Sequence, residues 1–244
     1  MVRILLDTNI VDFLSQYDGD SLKNIIGDVS TYISLETVME LSNGFYANNK
    51  YLKIDELLNV LQTRGLGNIL LIKEEIQEYP FIVDIDKYVK SHGAFLKDIK
   101  DHDKFKKSCL EYNDNNIHHI RGVIYEIKEK LSKEKINFDD LEIYHRKLKE
   151  WIKMPECKLK DFPFNTILRA FIIEKFIIYE DYKFTNNDIR DLLISSKCIY
   201  FDKFFTENKS YNIINKIISK RGLQQIFKEG FKVYNKRELM EKLK

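Results

Sequence analysis

Arg3-Ile4-Leu5-Leu6-Asp7-Thr8-Asn9-Ile10-Val11-Asp12-Phe13-Leu14 is an apolar run that stops at three polar residues and resumes with helical spacing. The run reads as a strand buried on both faces, and the polar turn after it as a strand-to-helix junction. Ligands of open α/β sheets bind at the carboxyl ends of the strands, so Asp7 stands where a functional carboxylate would face the crevice. Thr8 or Asn9 is then free to cap the following helix. A structural role satisfies the same residues, because such junctions favour Asp and Asn and Asp7 could simply assist the cap. On this stretch alone both readings stand.

The surrounding composition narrows the setting. A chain of 244 residues with 44% hydrophobic residues can build one large domain, or a core domain carrying an insertion. Apolar runs such as 69–72 are far shorter than a membrane span, and the amino terminus shows no charged-then-apolar leader. The expectation is a soluble, cytoplasmic protein without a membrane partner. Cys109, Cys157 and Cys198 are odd in number and widely spaced, which indicates neither a disulfide framework nor a zinc knuckle. The net charge is only +2, but residues 209–244 hold ten Lys or Arg against Glu229, Glu238 and Glu241, a local balance of +7 against about −5 elsewhere. A basic end beside an acidic crevice suits a polyanion held across bound cations, although a solvated lysine-rich helix would have the same composition.

Nine glycines and three prolines punctuate the chain sparsely, which predicts long helices and short connections. Strands are predicted at 2–6, 31–33, 69–72, 203–205 and 232–234, most of them followed by a helical pattern. Strands alternating with helices imply a parallel sheet covered on both faces. Residues 73–161 read differently, with charged helical patterns at 117–131 and 141–152 and no convincing strand. They are expected to form a helical insertion, leaving 1–72 and 162–244 as a discontinuous α/β core completed by both ends of the chain.

Three further acids stand where such a sheet would bring them toward Asp7. After the 31–33 strand, Ser34 is an N-cap, Leu35, Val38, Met39 and Leu41 are helically spaced, and Asn43-Gly44 forms a C-cap signal. Glu36 and Glu40 share a face of this helix; the helix dipole accounts for Glu36 in the first turn but not for Glu40 in the second. In Thr185-Asn186-Asn187-Asp188-Ile189-Arg190-Asp191-Leu192, Asp188 reads as a capping-box acid after Thr185, whereas Asp191 sits beside the apolar stripe without that explanation. Lys203-Phe204-Phe205-Thr206-Glu207-Asn208 repeats the logic of the opening, an apolar strand ending in a hydroxyl, an acid and an amide. Two carboxylates about 5 Å apart repel by roughly 3 kcal/mol at an effective dielectric of 20, so a cluster of them requires raised pKa values or bound cations. An all-oxygen donor set selects hard ions such as Mg²⁺ or Mn²⁺.

Ile4-Leu5-Leu6-Asp7-Thr8-Asn9, Ile33-Ser34 through Glu40-Leu41 to Gly44, Asn187-Asp188 through Asp191-Leu192, and Phe205-Thr206-Glu207 together resemble the PIN-domain nucleases. Gly230-Phe231-Lys232-Val233-Tyr234-Asn235 through Glu238-Leu239 is similar to that family's last strand and helix. The resemblance spans 1–44 and 186–244. It implies a Rossmann-like three-layer α/β/α domain with a central parallel sheet, and a metal-dependent endoribonuclease, as in many members that include toxins of toxin-antitoxin pairs. It assigns Asp7, Glu40, Asp191 and Glu207 as catalytic and metal-holding acids for Mg²⁺ or Mn²⁺. Asp188, one turn before Asp191, is the alternative third acid. Thr8, Asn9, Thr206 and Asn208 would position substrate. Many relatives carry Thr-x-Asp where this chain has Thr206-Glu207-Asn208, so either Glu207 supplies charge or Asn208 a neutral oxygen. RNA is the implied partner, with an antitoxin or other protein, or a second copy in a homodimer, as further candidates.

Other chemistries find less support. His92, His102, His118, His119 and His145 show no metal-ligand spacing and read as surface or structural residues. Trp151 reads as packing. The chain has no P-loop, dinucleotide-binding glycine motif or nucleophile elbow. Two alternatives to the nuclease are kept: an inactive relative using the fold and its insertion to bind RNA or protein, and an enzyme in which Asp7 accepts a phosphoryl group.

Overall fold

Ile4, Leu5 and Leu6 have no exposed surface, because the strand they belong to is covered on both edges and both faces. In the computed structural model, which describes residues 2–14, 17, 29–34, 36–37, 40, 69–72, 89–90, 117–132, 134, 136–152, 158–161, 163–177 and 184–241, β1 (Val2–Leu6) lies between β2 (Val29–Ser34) and β5 (Lys203–Thr206). With β3 (Ile69–Ile72), β4 (Val89–Lys90) and β6 (Lys232–Asn235) the sheet has the order β4-β3-β2-β1-β5-β6. All pairings are parallel except that of β4 with β3. The α/β class is therefore as expected, and both ends of the chain complete the sheet.

Alternation along the strands divides the core into two faces. Leu5, Tyr32, Phe204 and Val233, adjacent across the sheet, belong to one cluster with Ile167, Phe171, Ile189, Leu192 and Ile214. Those partners come from α4 (Pro163–Ile172), α5 (Asn186–Ser196) and α6 (Asn208–Ser219). Ile4, Leu6, Ile33 and Phe205 are buried outside that cluster, as are Ile10, Phe13 and Leu14 of α1 (Thr8–Leu14) and Leu239 of α7 (Lys236–Glu241). The Lys236 Nζ stands 4.6 Å from the centre of the Phe13 ring, joining α7 to α1.

The middle of the chain departs from expectation at one point. Residues 73–161 are not free of strand, since β4 extends the sheet from within them; two residues at an antiparallel edge are too short to show a period. The two helical patterns there form α2 (His118–Ser132) and α3 (Leu141–Ile152). Ile120, Ile124, Tyr144 and Leu148 of these helices join the same cluster as Leu5 and Tyr32, and Trp151 packs against it. His118 and His119 are exposed, and Cys198 is a free thiol in the core. The Asn43-Gly44 cap, His92, His102, Cys109 and Cys157 lie outside the described residues. Among the described residues no helix is long and apolar enough to cross a membrane.

Candidate metal centre

The parallel register decides which residues can meet. Leu6 is level with both Ile33 and Phe205, so the chain leaves β1, β2 and β5 at one edge of the sheet. Asp7, just past β1, is anchored there by its backbone N–H, which donates to the Phe205 carbonyl at 2.9 Å. Its own carbonyl accepts from Ile10 and Val11 and so starts α1. Its side chain is 2% exposed. One carboxylate oxygen accepts the Thr8 N–H at 2.7 Å and the other accepts the Thr206 hydroxyl at 2.6 Å. Asp7 thus serves the turn and faces the crevice at once, and the two readings of the opening stretch are not exclusive.

Past β2 the backbone is helical at Glu36, Thr37 and Glu40. The Ser34 hydroxyl accepts the Thr37 N–H at 3.2 Å, as expected of an N-cap. The Thr37 hydroxyl reaches the Leu6 carbonyl at 3.5 Å, tying the helix start to the end of β1. Glu40 is half-buried, and its carboxylate accepts the Thr8 hydroxyl. Glu36 differs from its expected first-turn role at a dipole: it is fully buried, with both oxygens on the Lys197 ammonium.

On α5 the two aspartates separate cleanly. Thr185 and Asp188 form the capping box, with the Asp188 Oδ2 accepting the Thr185 N–H at 2.8 Å and its hydroxyl at 2.9 Å. The Asp188 Oδ1 lies 3.2 Å from Lys175 Nζ and 3.3 Å from Lys209 Nζ. Asp191 projects from the next turn and has Lys175 Nζ 3.1 Å from its Oδ2.

Among the described residues, Asp7, Glu40 and Asp191 each offer an oxygen within 4.8 Å of the others. Three elements distant in sequence therefore converge on one point at the carboxyl edge of the sheet. At an effective dielectric of 20, two full charges at that separation repel by about 3.5 kcal/mol. Burial, foremost, pushes the Asp7 carboxyl up from 3.8 to about 6, with Asp191 and Glu207 adding to the shift while Thr206 and Thr8 oppose it. Burial likewise lifts Glu40 from 4.5 to about 8, reinforced by Asp191 and Asp7 and opposed by the Thr8 hydroxyl and the Arg190 charge.

Glu207 stands at the rim. It occupies the N-cap position of α6 without a side-chain cap bond, and its carboxylate instead accepts from the exposed Asn9 amide at 3.2 Å. Its pKa is also raised, first by partial burial and then by Asp191. Thr206 is buried against Asp7, Thr8 bridges Asp7 and Glu40, and Asn208 is exposed at the start of α6. Lys175, Arg190 and Lys197 carry charge into or beside this region and were not legible as site residues. Glu174-Lys175 inside the apolar run 170–178 was the available signal, because charged residues rarely enter such runs without partners.

The arrangement offers hard oxygen donors above the buried Asp7 and Thr206, with the exposed Asn9 and Asn208 at its rim. No family model, curated protein or solved structure matches the chain.

Proposed function

We propose that this chain is a metal-dependent endoribonuclease of the PIN-domain kind, with Asp7, Glu40 and Asp191 holding Mg²⁺ or Mn²⁺. The observation that carries the reading is the convergence of these three carboxylates at the carboxyl edge of a parallel sheet, where burial and mutual repulsion oppose their charge. The donor set fits such an ion in kind: three carboxylates, all hard oxygen donors, each offer an atom within 4.8 Å of the others. When bound, the cation supplies Lewis acidity and charge neutralisation for hydrolysis of a phosphodiester by water.

The remaining work falls to the chain's own groups. Thr206 and the Thr8 N–H fix both oxygens of Asp7, and the Thr8 hydroxyl fixes Glu40, so the acids are oriented before any ligand arrives. Glu207, steadied by Asn9, adds a fourth acid at the rim, and Asn208 lies beside it for contact with substrate. The excess of Lys and Arg in 209–244 supports a polyanionic substrate. The order of the four acidic segments, which resembles the PIN-domain pattern, supports RNA as that substrate. A toxin with an antitoxin partner and an RNA-processing enzyme are both uses of this one activity in the cytoplasm.

The test is cleavage of a single-stranded RNA oligonucleotide by the whole chain with Mn²⁺ and with excess chelator. Cleavage is expected only with metal, and Asp7→Asn is expected to lower it about a thousandfold, equivalent to ~4 kcal/mol of lost transition-state stabilisation. Undiminished cleavage by Asp7→Asn overturns the assignment. Tight RNA binding with no cleavage in either condition supports a binding module instead.

A further inference from the structure

Lys175 is 3% exposed and lies in the π-helical turn Ile173–Ile177 that continues α4. Such turns widen a helix locally and are frequent at functional sites. The ammonium has three N–H bonds, and three acceptors surround it: the Asp191 Oδ2 at 3.1 Å, the Asp188 Oδ1 at 3.2 Å and the Asp188 carbonyl at 3.5 Å. The rings of Phe171 and Phe176 stand 5.9 and 5.6 Å from Nζ and close the apolar side. The other oxygen of Asp188 is taken by Thr185, and Lys209 adds a second ammonium on Oδ1.

Two-metal centres place their ions about 3.5–4 Å apart, on shared or neighbouring carboxylates. Asp191 is the carboxylate placed to be shared, since it belongs to the trio with Asp7 and Glu40 and also faces Asp188 across Lys175. We infer that the Lys175 ammonium is the site's built-in second cation. The centre takes one divalent ion, on Asp7, Glu40 and Asp191, and Lys175 fills the position between Asp191 and Asp188 that a second ion would need. A second ion could enter only by displacing a buried ammonium from all three of its acceptors. This inference rests on the metal reading proposed above and adds to it the number of ions and the residue that limits it.

The experiment counts Mn²⁺ bound per chain by calorimetry and by the electron paramagnetic resonance of free Mn²⁺. Wild type is expected to bind one ion, lost in Asp7→Asn. Methionine keeps the side chain as far as Cε and omits the ammonium, so Lys175→Met is expected to bind two ions. Lys175→Arg keeps the charge and is expected to bind one. Should Lys175→Met not fold, Lys175→Gln, which removes the charge but keeps a polar end, carries the same expectation of two. Two ions on wild type, or a single ion on the folded uncharged variant, overturns the inference and leaves the metal reading standing. No Mn²⁺ on wild type or variant overturns the metal reading itself and the inference with it. A lysine with a merely structural role would change stability without changing the count.

Discussion

Glu36 and Glu40 lie four residues apart on helical backbone, and the fold gives them opposite company. Glu36 is sealed in the interior with both oxygens on Lys197, itself fully buried. Glu40 is partly open, held by a threonine hydroxyl, and turned toward two other acids. Asp188 and Asp191 repeat the contrast one turn apart on α5, the first consumed by a cap and two lysines, the second shared between a lysine and the acidic trio. Burial of a carboxylate is thus not what marks a site. The mark is burial among like charges, where the fold has supplied orientation but incomplete compensation and a ligand can supply the rest.

The largest effect should come from breaking the compensated partner. Lys197→Met leaves Glu36 buried without its cation and is expected to lower stability by about 3–5 kcal/mol in urea unfolding, with Glu36→Met in the same chain restoring most of it. Glu40→Gln should act in the opposite manner, abolishing Mn²⁺ binding while raising metal-free stability at pH 7 by roughly 2–3 kcal/mol, because the amide never carries the charge that burial opposes. Equal destabilisation by the two single variants would erase the distinction between the acids.

A smaller but more diagnostic effect is the sign of the pH dependence. Asp7 and Glu40 are raised in the fold to about 6 and about 8, so between their ordinary values and these the folded state binds more protons than the unfolded one. Their contribution is complete below about pH 4 and is lost as pH rises through 6 and then 8. For Asp7 alone the rise from 3.8 to about 6 corresponds to about 3 kcal/mol. Metal-free stability attributable to Asp7 and Glu40 should therefore fall from pH 4 to pH 8. Saturating Mn²⁺ should reverse that slope, and its apparent affinity should rise about tenfold per unit between pH 6 and 8 as Glu40 releases its proton. Unfolding curves with and without Mn²⁺ across this range check both, and parallel slopes would contradict a metal site at these residues.

The smallest effect concerns orientation. Thr206→Val removes the hydroxyl that donates to Asp7 at 2.6 Å. It should weaken Mn²⁺ binding at pH 7 by about tenfold, equivalent to ~1.4 kcal/mol for a charge-assisted hydrogen bond, without changing the number of ions bound.

What the sequence reveals and conceals follows from range. The Thr185–Asp188 box, the Ser34 cap and the buried run of β1 are local, and each is legible from neighbouring residues. Strands 31–33, 203–205 and 232–234 were foreseen one to three residues short, since their ends are set by pairing rather than composition. The edge strand Val89–Lys90 carries no period and escapes notice. The Glu36–Lys197 pair joins residues 161 apart, and local logic explained Glu36 by its helix terminus alone. Lys175 was hidden for a related reason: its acceptors lie 13 and 16 residues away, on the next helix, and only packing brings them to it.

The bond from Thr206 to Asp7 spans 199 positions of chain. On the ribosome, at about 5–20 residues per second, roughly 10–40 s separate the synthesis of these two residues. Asp7 and Glu40 are made early, but Asp191 and the β5 edge of the crevice come late. A nascent chain interrupted before residue 191 therefore carries only part of the acidic trio, so any chemistry that needs all three acids is withheld until most of the polypeptide has been made.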